Sequence, residues 1–316
     1  MKGVAGMDLR QLRYFVAVAR ERNFTRAAEQ LHIAQPPLSR QIQLLEEELG
    51  VALFLRKTRP VRLTDAGRLL YEQSLQVLGR VEQMKDATRR VGQNRNQLLS
   101  IGFVASTLYG GLPTLVRKLR QNAPDLDIQL LELLSIQQIP ALKEGRIDMG
   151  FGRLKHIDAG IVSTVLREER LVVALPPDVP LARDATPLPL EALAGQKLIV
   201  YPKEPRPSYA DHVLHLLHEA GVRPGDVLEV REIQTALGLV AAQSGICIIP
   251  SSARQMRSDL RYRVIDSPGA TSPVILYHRT GDSSRHLDLV KRLIRDMYAE
   301  NPPWLMTNNI PPDDAE

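Results

Sequence analysis

Gln35, Pro36, Ser39, Arg40 and Gln43 open a helical pattern whose opposite face carries Leu38, Ile42, Leu45 and Leu49. A polar helix start of that kind can present side chains to base edges in a major groove, where Arg40 would span the two acceptors of a guanine. Arg56, Lys57 and Arg59 then form a basic turn suited to neutralising phosphates. A plain helical hairpin with solvated arginines is the competing reading of these residues. A second group is Ser106, Thr107 and Ser135, each where a strand pattern gives way to a helix. Hydroxyls and free backbone N–H groups at such junctions attract carboxylates, and ligands of open α/β sheets bind at the carboxyl ends of strands. Serines and threonines there serve equally as helix caps. The helix predicted to begin near Ile233 would offer N–H donors from another side. No arginine stands at these junctions, so neutral hydrogen bonds rather than a salt bridge are expected to hold an anion.

Enzymatic and metal chemistry find little support. Gly150-Phe151-Gly152 begins a dinucleotide fingerprint, but Lys155 occupies its third glycine position. A phosphate-binding P-loop and a G-x-S-x-G elbow are both absent from the sequence. His212, His215 and His218 are three apart on a predicted helix, so their rings fan out and converge poorly on one ion; a solvated face is expected, and no metal site. Cys247 lies in the apolar run GICIIP and reads as inert core; a single cysteine excludes an intramolecular disulfide.

The elements that must position these groups follow from periodicity. Leu9, Leu12, Phe15, Val16 and Ala19 mark one buried helix face, and Thr25 is the expected N-cap of a short second helix carrying Ala27, Ala28 and Leu31. The third helix starts at Gln35-Pro36-Pro37 and ends at Gly50. VALFLRKTRPVRLT reads as a two-stranded wing. From Thr64 to about Asn94 runs a long helix with Leu70, Val77, Met84 and Val91 seven apart and Val81 at an offset of four, an imperfect heptad seam that predicts pairing with a second copy. Packing on its own domain is the alternative. Beyond Leu98 strands and helices alternate, as in a parallel α/β sheet, and the last pair, SPVILYH and DLVKRLIRDMYAE, is placed to return to the first subdomain. The tail from Asn301 is expected to fray.

Composition sets the outer bounds. At 44% hydrophobic and 24% charged, the chain is globular rather than disordered. It carries no apolar run long enough to span a membrane and no signal-peptide core after Lys2, which predicts a cytoplasmic protein. The net charge of +5 is unevenly spread. Residues 1–95 hold 17 Lys+Arg against 10 Asp+Glu, so the basic excess belongs wholly to the first third, as expected of a segment that meets a polyanion.

The segment LRYFVAVARERNFTRAAEQLHIAQPPLSRQIQLLEEELGVALFLR, followed by LTDAG, resembles the winged helix-turn-helix of LysR-type transcriptional regulators. IGFVASTLYGGLP, ALKEGRIDMGFGR and REIQTALGLVAAQSGICIIP resemble the aromatic-catabolism branch of that family. The likeness starts at Met7, the family's usual first residue. It implies a winged helix-turn-helix over 7–65, a linker helix over 66–95, and a two-lobed periplasmic-binding-protein-like α/β domain over 96–301, with lobe I at 96–167 and 272–301 and lobe II at 168–271. It further implies a dimer of dimers on double-stranded promoter DNA at the nucleoid, contact with RNA polymerase, no cofactor, and a small carboxylate effector such as cis,cis-muconate. Ser106 and Ser135 match effector-contacting positions, and Pro202 matches the opposite wall. Arg167 matches the arginine of a second, aromatic-acid pocket, with His286 standing where that pocket's tyrosine would be. The expectation is therefore an effector-dependent activator, not an enzyme. The rival is a solute-binding or enzymatic α/β protein whose N-terminal helices serve only in assembly.

Overall fold

The computed structural model describes residues 6–55, 60–92, 97–184, 186–300, 302 and 309–310. The chain divides into two compact units, one built on Met1–Arg95 and the other on Asn96–Leu142 and Ile147–Glu316. Among the described residues no helix is long and apolar enough to cross a membrane.

The first unit packs α1 (Leu9–Glu21), α2 (Phe24–Gln30) and α3 (Gln35–Leu49) around Phe15, Val18, Ala27, Leu38, Ile42 and Leu45. Asp8 and Gln11 start α1 with a capping box, each side chain accepting from the other's backbone N–H. The cap of α2 is Asn23, not Thr25: its Oδ1 accepts from the N–H groups of Thr25 and Arg26, so the helix starts two residues earlier than the sequence predicts. Gly50 closes α3 at φ 68°, in the left-handed region. Leu9 and Leu49, expected on buried faces, are 39% exposed, because each sits at a helix end beyond the three-helix core. Strands β1 (Phe54–Leu55) and β2 (Arg62–Leu63) pair antiparallel as a wing, and Glu46 Oε1 holds its start by accepting from Leu53 N and Phe54 N at 2.8 and 3.2 Å. Thr64 Oγ1 accepts from Gly67 N and so caps the long α4 (Asp65–Gly92).

The second unit is organised by one 15-residue strand. In chain order it contains β3 (Gln97–Phe103), α5 (Leu112–Asn122), β4 (Leu126–Glu132), α6 (Ser135–Lys143), β5 (Met149–Gly152) and β6 (Ile161–Leu175). There follow β7 (Lys197–Val200), α7 (Tyr209–Glu219), β8 (Asp226–Glu229), α8 (Ile233–Ala241), β9 (Ile246–Pro250) and β10 (Arg261–Val264). The chain then returns through β11 (Thr271–Arg279), α9 (Arg285–Ala299) and β12 (Asn309–Ile310). The strand order is β4-β3-β5-β11-β6-β9-β7-β8. Residues 161–170 of β6 pair with β11, and residues 171–175 lie between β9 and β10, so β6 passes from one lobe to the other at Arg170–Leu171. Each lobe has its own core: Leu99, Ile101, Leu115, Leu119 and Val290 in the first, Val173, Ile199, Leu237 and Ile248 in the second. Most of the tail lies outside the described residues, but Asn309 and Ile310 pair with Glu169 and Glu168 of β6 instead of fraying.

Candidate functional site

On α3, Leu38, Ile42 and Leu45 are fully buried, which turns Gln35, Pro36, Arg40 and Gln43 outward and leaves Ser39 half-buried. Gln35 Nε2 donates to Ser39 Oγ at 2.7 Å, so these two side chains hold each other, while Arg40 has no hydrogen bond or ion pair among the described residues. The wing residues Arg56, Lys57 and Arg59 lie outside the described residues. Along α4 the heptad splits. Leu70, with Leu75 and Leu78, packs on the unit's own core, whereas Val77 and Met84 are exposed by 44% and 60%. Val81 is half-buried, and the side chain of Val91 is outside the described ones. Leu69, which the heptad count passed over, is 61% exposed.

In the second unit Ser106, Ser135, Pro202 and Ile233 line one cavity of about 100 Å³ between the lobes. They come together because β3 and β4 end at the interlobe cleft from the first lobe, and β7, which runs in the opposite direction, ends at it from the second. Ser106 stands in a single 3-10 turn, Ala105–Tyr109, and Ser135 is the first residue of α6. Beneath Ser135 runs β5, where a Cβ on Gly152 would come within 2.8 Å of Ser135 Oγ and 2.5 Å of Tyr277 Cε2. The glycine pair that failed as a dinucleotide motif has this packing reason instead.

Thr107 is not in that cavity. Its hydroxyl donates to Val104 O at 2.7 Å, and its side chain lines a smaller pocket of about 20 Å³ with Arg167 and Tyr298. Successive residues of a 3-10 turn point about 120° apart, so Ser106 and Thr107 cannot face the same way.

The expectation that no arginine serves the junctions is also overturned. Arg153, immediately after β5, lines the cavity while being only 5% exposed. Its Nε donates to Ser106 Oγ at 2.7 Å, its backbone N to Ser135 Oγ at 3.0 Å, and its Nη2 to Glu169 Oε2 at 2.8 Å. Glu169, 1% exposed, also receives Ser252 N at 2.6 Å and stands 3.6 Å from Arg167 Nη2. Burial pushes the Glu169 carboxyl up, but Arg153, Arg167 and the Ser252 N–H outweigh it and hold the group at about 2. Two buried guanidiniums face this one carboxylate, and the cavity lining carries Arg153 and Arg231 together with Glu132 and Glu232. Both serine oxygens already accept from Arg153, which leaves the Ser106 O–H to donate, whereas the Ser135 hydroxyl is also hydrogen-bonded to Tyr277. The strand-end rule that singled out Ser106 would have found Arg153 had it been applied to β5.

His286 is not the partner of Arg167. Arg167 Nη1 donates to Tyr298 Oη at 3.1 Å, and His286 lies twelve residues earlier on α9, roughly 18 Å away at 1.5 Å per residue. His286 is half-buried, and desolvation together with Arg285 lowers its pKa. Of the three helix histidines, His215 and His218 are exposed, but His212 turns inward, its Nε2 2.7 Å from Thr271 O. Among the described residues no group of three or more metal-ligating side chains is assembled. Cys247 is fully buried, and burial raises its thiol pKa.

A helix-turn-helix with a wing, a long helix after it and a two-lobed α/β domain with a cleft between its lobes define a DNA-binding transcriptional regulator. The family models agree: "Bacterial regulatory helix-turn-helix protein, lysR family" matches residues 9–68 and "LysR substrate binding domain" matches residues 92–299. The chain belongs to the LysR family of transcriptional regulators. It is 69% identical over 303 residues to the probable cat1 operon transcriptional activator of Acinetobacter lwoffii, covering 96% of this chain and all of that one. Full-length BenM, from Acinetobacter baylyi, is similar at 42% identity and a TM-score of 0.63, covering 94% of this chain and all of that one. The BenM effector-binding domain with its effector benzoate is similar at 39% identity and a TM-score of 0.63, covering 66% and 97%.

Proposed function

We propose that this protein activates an aromatic-compound catabolic operon in response to a small carboxylate, with a cis,cis-muconate-like dicarboxylate as first choice. The observation that carries this is the buried Arg153–Glu169–Arg167 cluster, which holds the Arg153 side chain on a cavity lined by Ser106 and Ser135. A cavity of about 100 Å³ has space for roughly seven to ten water-sized positions, comparable with the ten or so non-hydrogen atoms of a six-carbon dicarboxylate. The names of the cat1 activator and of benzoate-bound BenM support the same metabolic setting. The Arg167–Tyr298 pocket, at about 20 Å³, has space for only one or two water-sized positions and does not hold an aromatic acid.

In this reading Gln35, Pro36, Ser39, Arg40 and Gln43 read promoter DNA, and Arg56, Lys57 and Arg59 grip its phosphates. Val77, Val81, Met84 and Val91, without Leu70, pair the linker helices within a dimer of dimers that engages RNA polymerase in the cytoplasm. Calorimetric titration of cis,cis-muconate tests the effector site. Ser106→Ala is expected to weaken binding about ten- to a hundredfold, the worth of one charge-assisted hydrogen bond, while promoter binding without effector persists. Unchanged affinity in both Ser106→Ala and Ser135→Ala would reduce these hydroxyls to structural groups and move the effector elsewhere.

A further inference from the structure

We propose that the groove between α9 and β6 is the docking site of this chain's own acidic segment, Asp313-Asp314-Ala315-Glu316. The groove measures about 600 Å³, with Thr164 and Leu166 of β6 on one side and α9 on the other. Lys291, Arg292 and Arg295 line it from α9, and Asp288 is the one acid of its described lining. The three cations are exposed, and none makes a hydrogen bond or ion pair among the described residues. Like charges three and four residues apart on a helix repel one another, so this row is stabilised when an anion lies along it.

Strand β12 delivers the segment. Asn309 and Ile310 pair antiparallel with Glu169 and Glu168, so the chain beyond Ile310 heads along β6 toward Thr164. Pro311 and Pro312 lack N–H groups and cannot extend that ladder. At roughly 3.3 Å per extended residue, Asp313 and Asp314 lie about 10–13 Å past Ile310, the reach of β6 from Glu168 back to Thr164. They therefore arrive level with the cationic row of α9. Residues 162–167 of β6 have β11 on one side and no described strand on the other, and Val162 is 37% exposed. An uncovered edge is a template for foreign strands, and a charged segment laid beside it blocks that pairing. A second groove, with Arg117 and Arg120 beside Leu130, lies on β4, at the opposite edge of the sheet from β12.

The test cross-links the full-length double variant Arg292→Cys with Asp314→Cys, using a short bismaleimide. The native Cys247 is fully buried and does not compete. The expected product is a monomeric chain linked within itself, with the joined peptides identified by mass spectrometry. Adding Lys291→Glu and Arg295→Glu, or raising the salt to about 1 M, should slow the linkage about tenfold, because the first inverts exposed charge pairs and the second screens them. The control pair Arg120→Cys with Asp314→Cys, aimed at the opposite groove, should link about tenfold more slowly than the Arg292 pair. A link between two chains overturns the proposal and gives the groove to the segment of a second copy. No linkage overturns it as well. Linkage that is as fast at Arg120, or indifferent to charge and salt, marks random encounter and overturns it too.

Discussion

Replacing Glu169 by glutamine removes one charge from the most enclosed ionic cluster described in the second unit and leaves its shape nearly intact. In the native protein the carboxylate receives Arg153 Nη2 at 2.8 Å and Ser252 N at 2.6 Å, with Arg167 3.6 Å away. Its pKa of about 2 lies some 2.5 units below the ordinary 4.5, which corresponds to about 3 kcal/mol at 1.36 kcal/mol per unit. Because the folded-state value is depressed, this stability is present above pH 4.5 and is lost as pH falls toward 2. Glu169→Gln should therefore lose about 3–5 kcal/mol at pH 7, the range for breaking a buried pair. The gap to wild type should narrow by about 2 kcal/mol at pH 3, where the native carboxylate's advantage is already fading. Urea unfolding followed by circular dichroism at the two pH values measures both quantities. The variant also removes the carboxylate that both guanidiniums face, so muconate should raise its stability more than it raises that of wild type. A gap that is the same at pH 3 and pH 7, or below about 1 kcal/mol at pH 7, would refute the assignment of Glu169 as the paired anion.

On the DNA-reading face, Arg40→Ala should cost roughly 1–3 kcal/mol of specific binding and little non-specific binding; an unchanged preference for operator over random DNA in a competition assay would remove α3 as the reading helix. The double change Val77→Glu with Met84→Glu puts charges into the outward row of α4 and should abolish dimerisation and operator binding with the second unit still folded; an unaltered sedimentation profile would refute the seam.

Features set by local periodicity were legible in the sequence. The buried positions Leu38, Ile42 and Leu45, the wing and the alternation of strands and helices all depend on spacing within a few turns, and spacing is what a sequence displays. The strand-end rule likewise led to Ser106 and Ser135 before any cavity was visible. Direction within a turn was not legible, since Ser106 and Thr107 are chain neighbours that serve different pockets. Neither were the partners of buried charges. Arg153 meets Ser106 across 47 residues, and Arg167 meets Tyr298 across 131, pairings created only when β3, β5, β6 and α9 assemble. His286 stands where the resemblance puts that pocket's tyrosine, yet it lies more than three helical turns from Tyr298, the residue that Arg167 meets. The sequence by itself determined which surfaces are apolar and where strands end, because those follow from local chemistry. Only the tertiary structure decided which distant side chains share a low-dielectric site, and there a charge must find its partner or lose its stability.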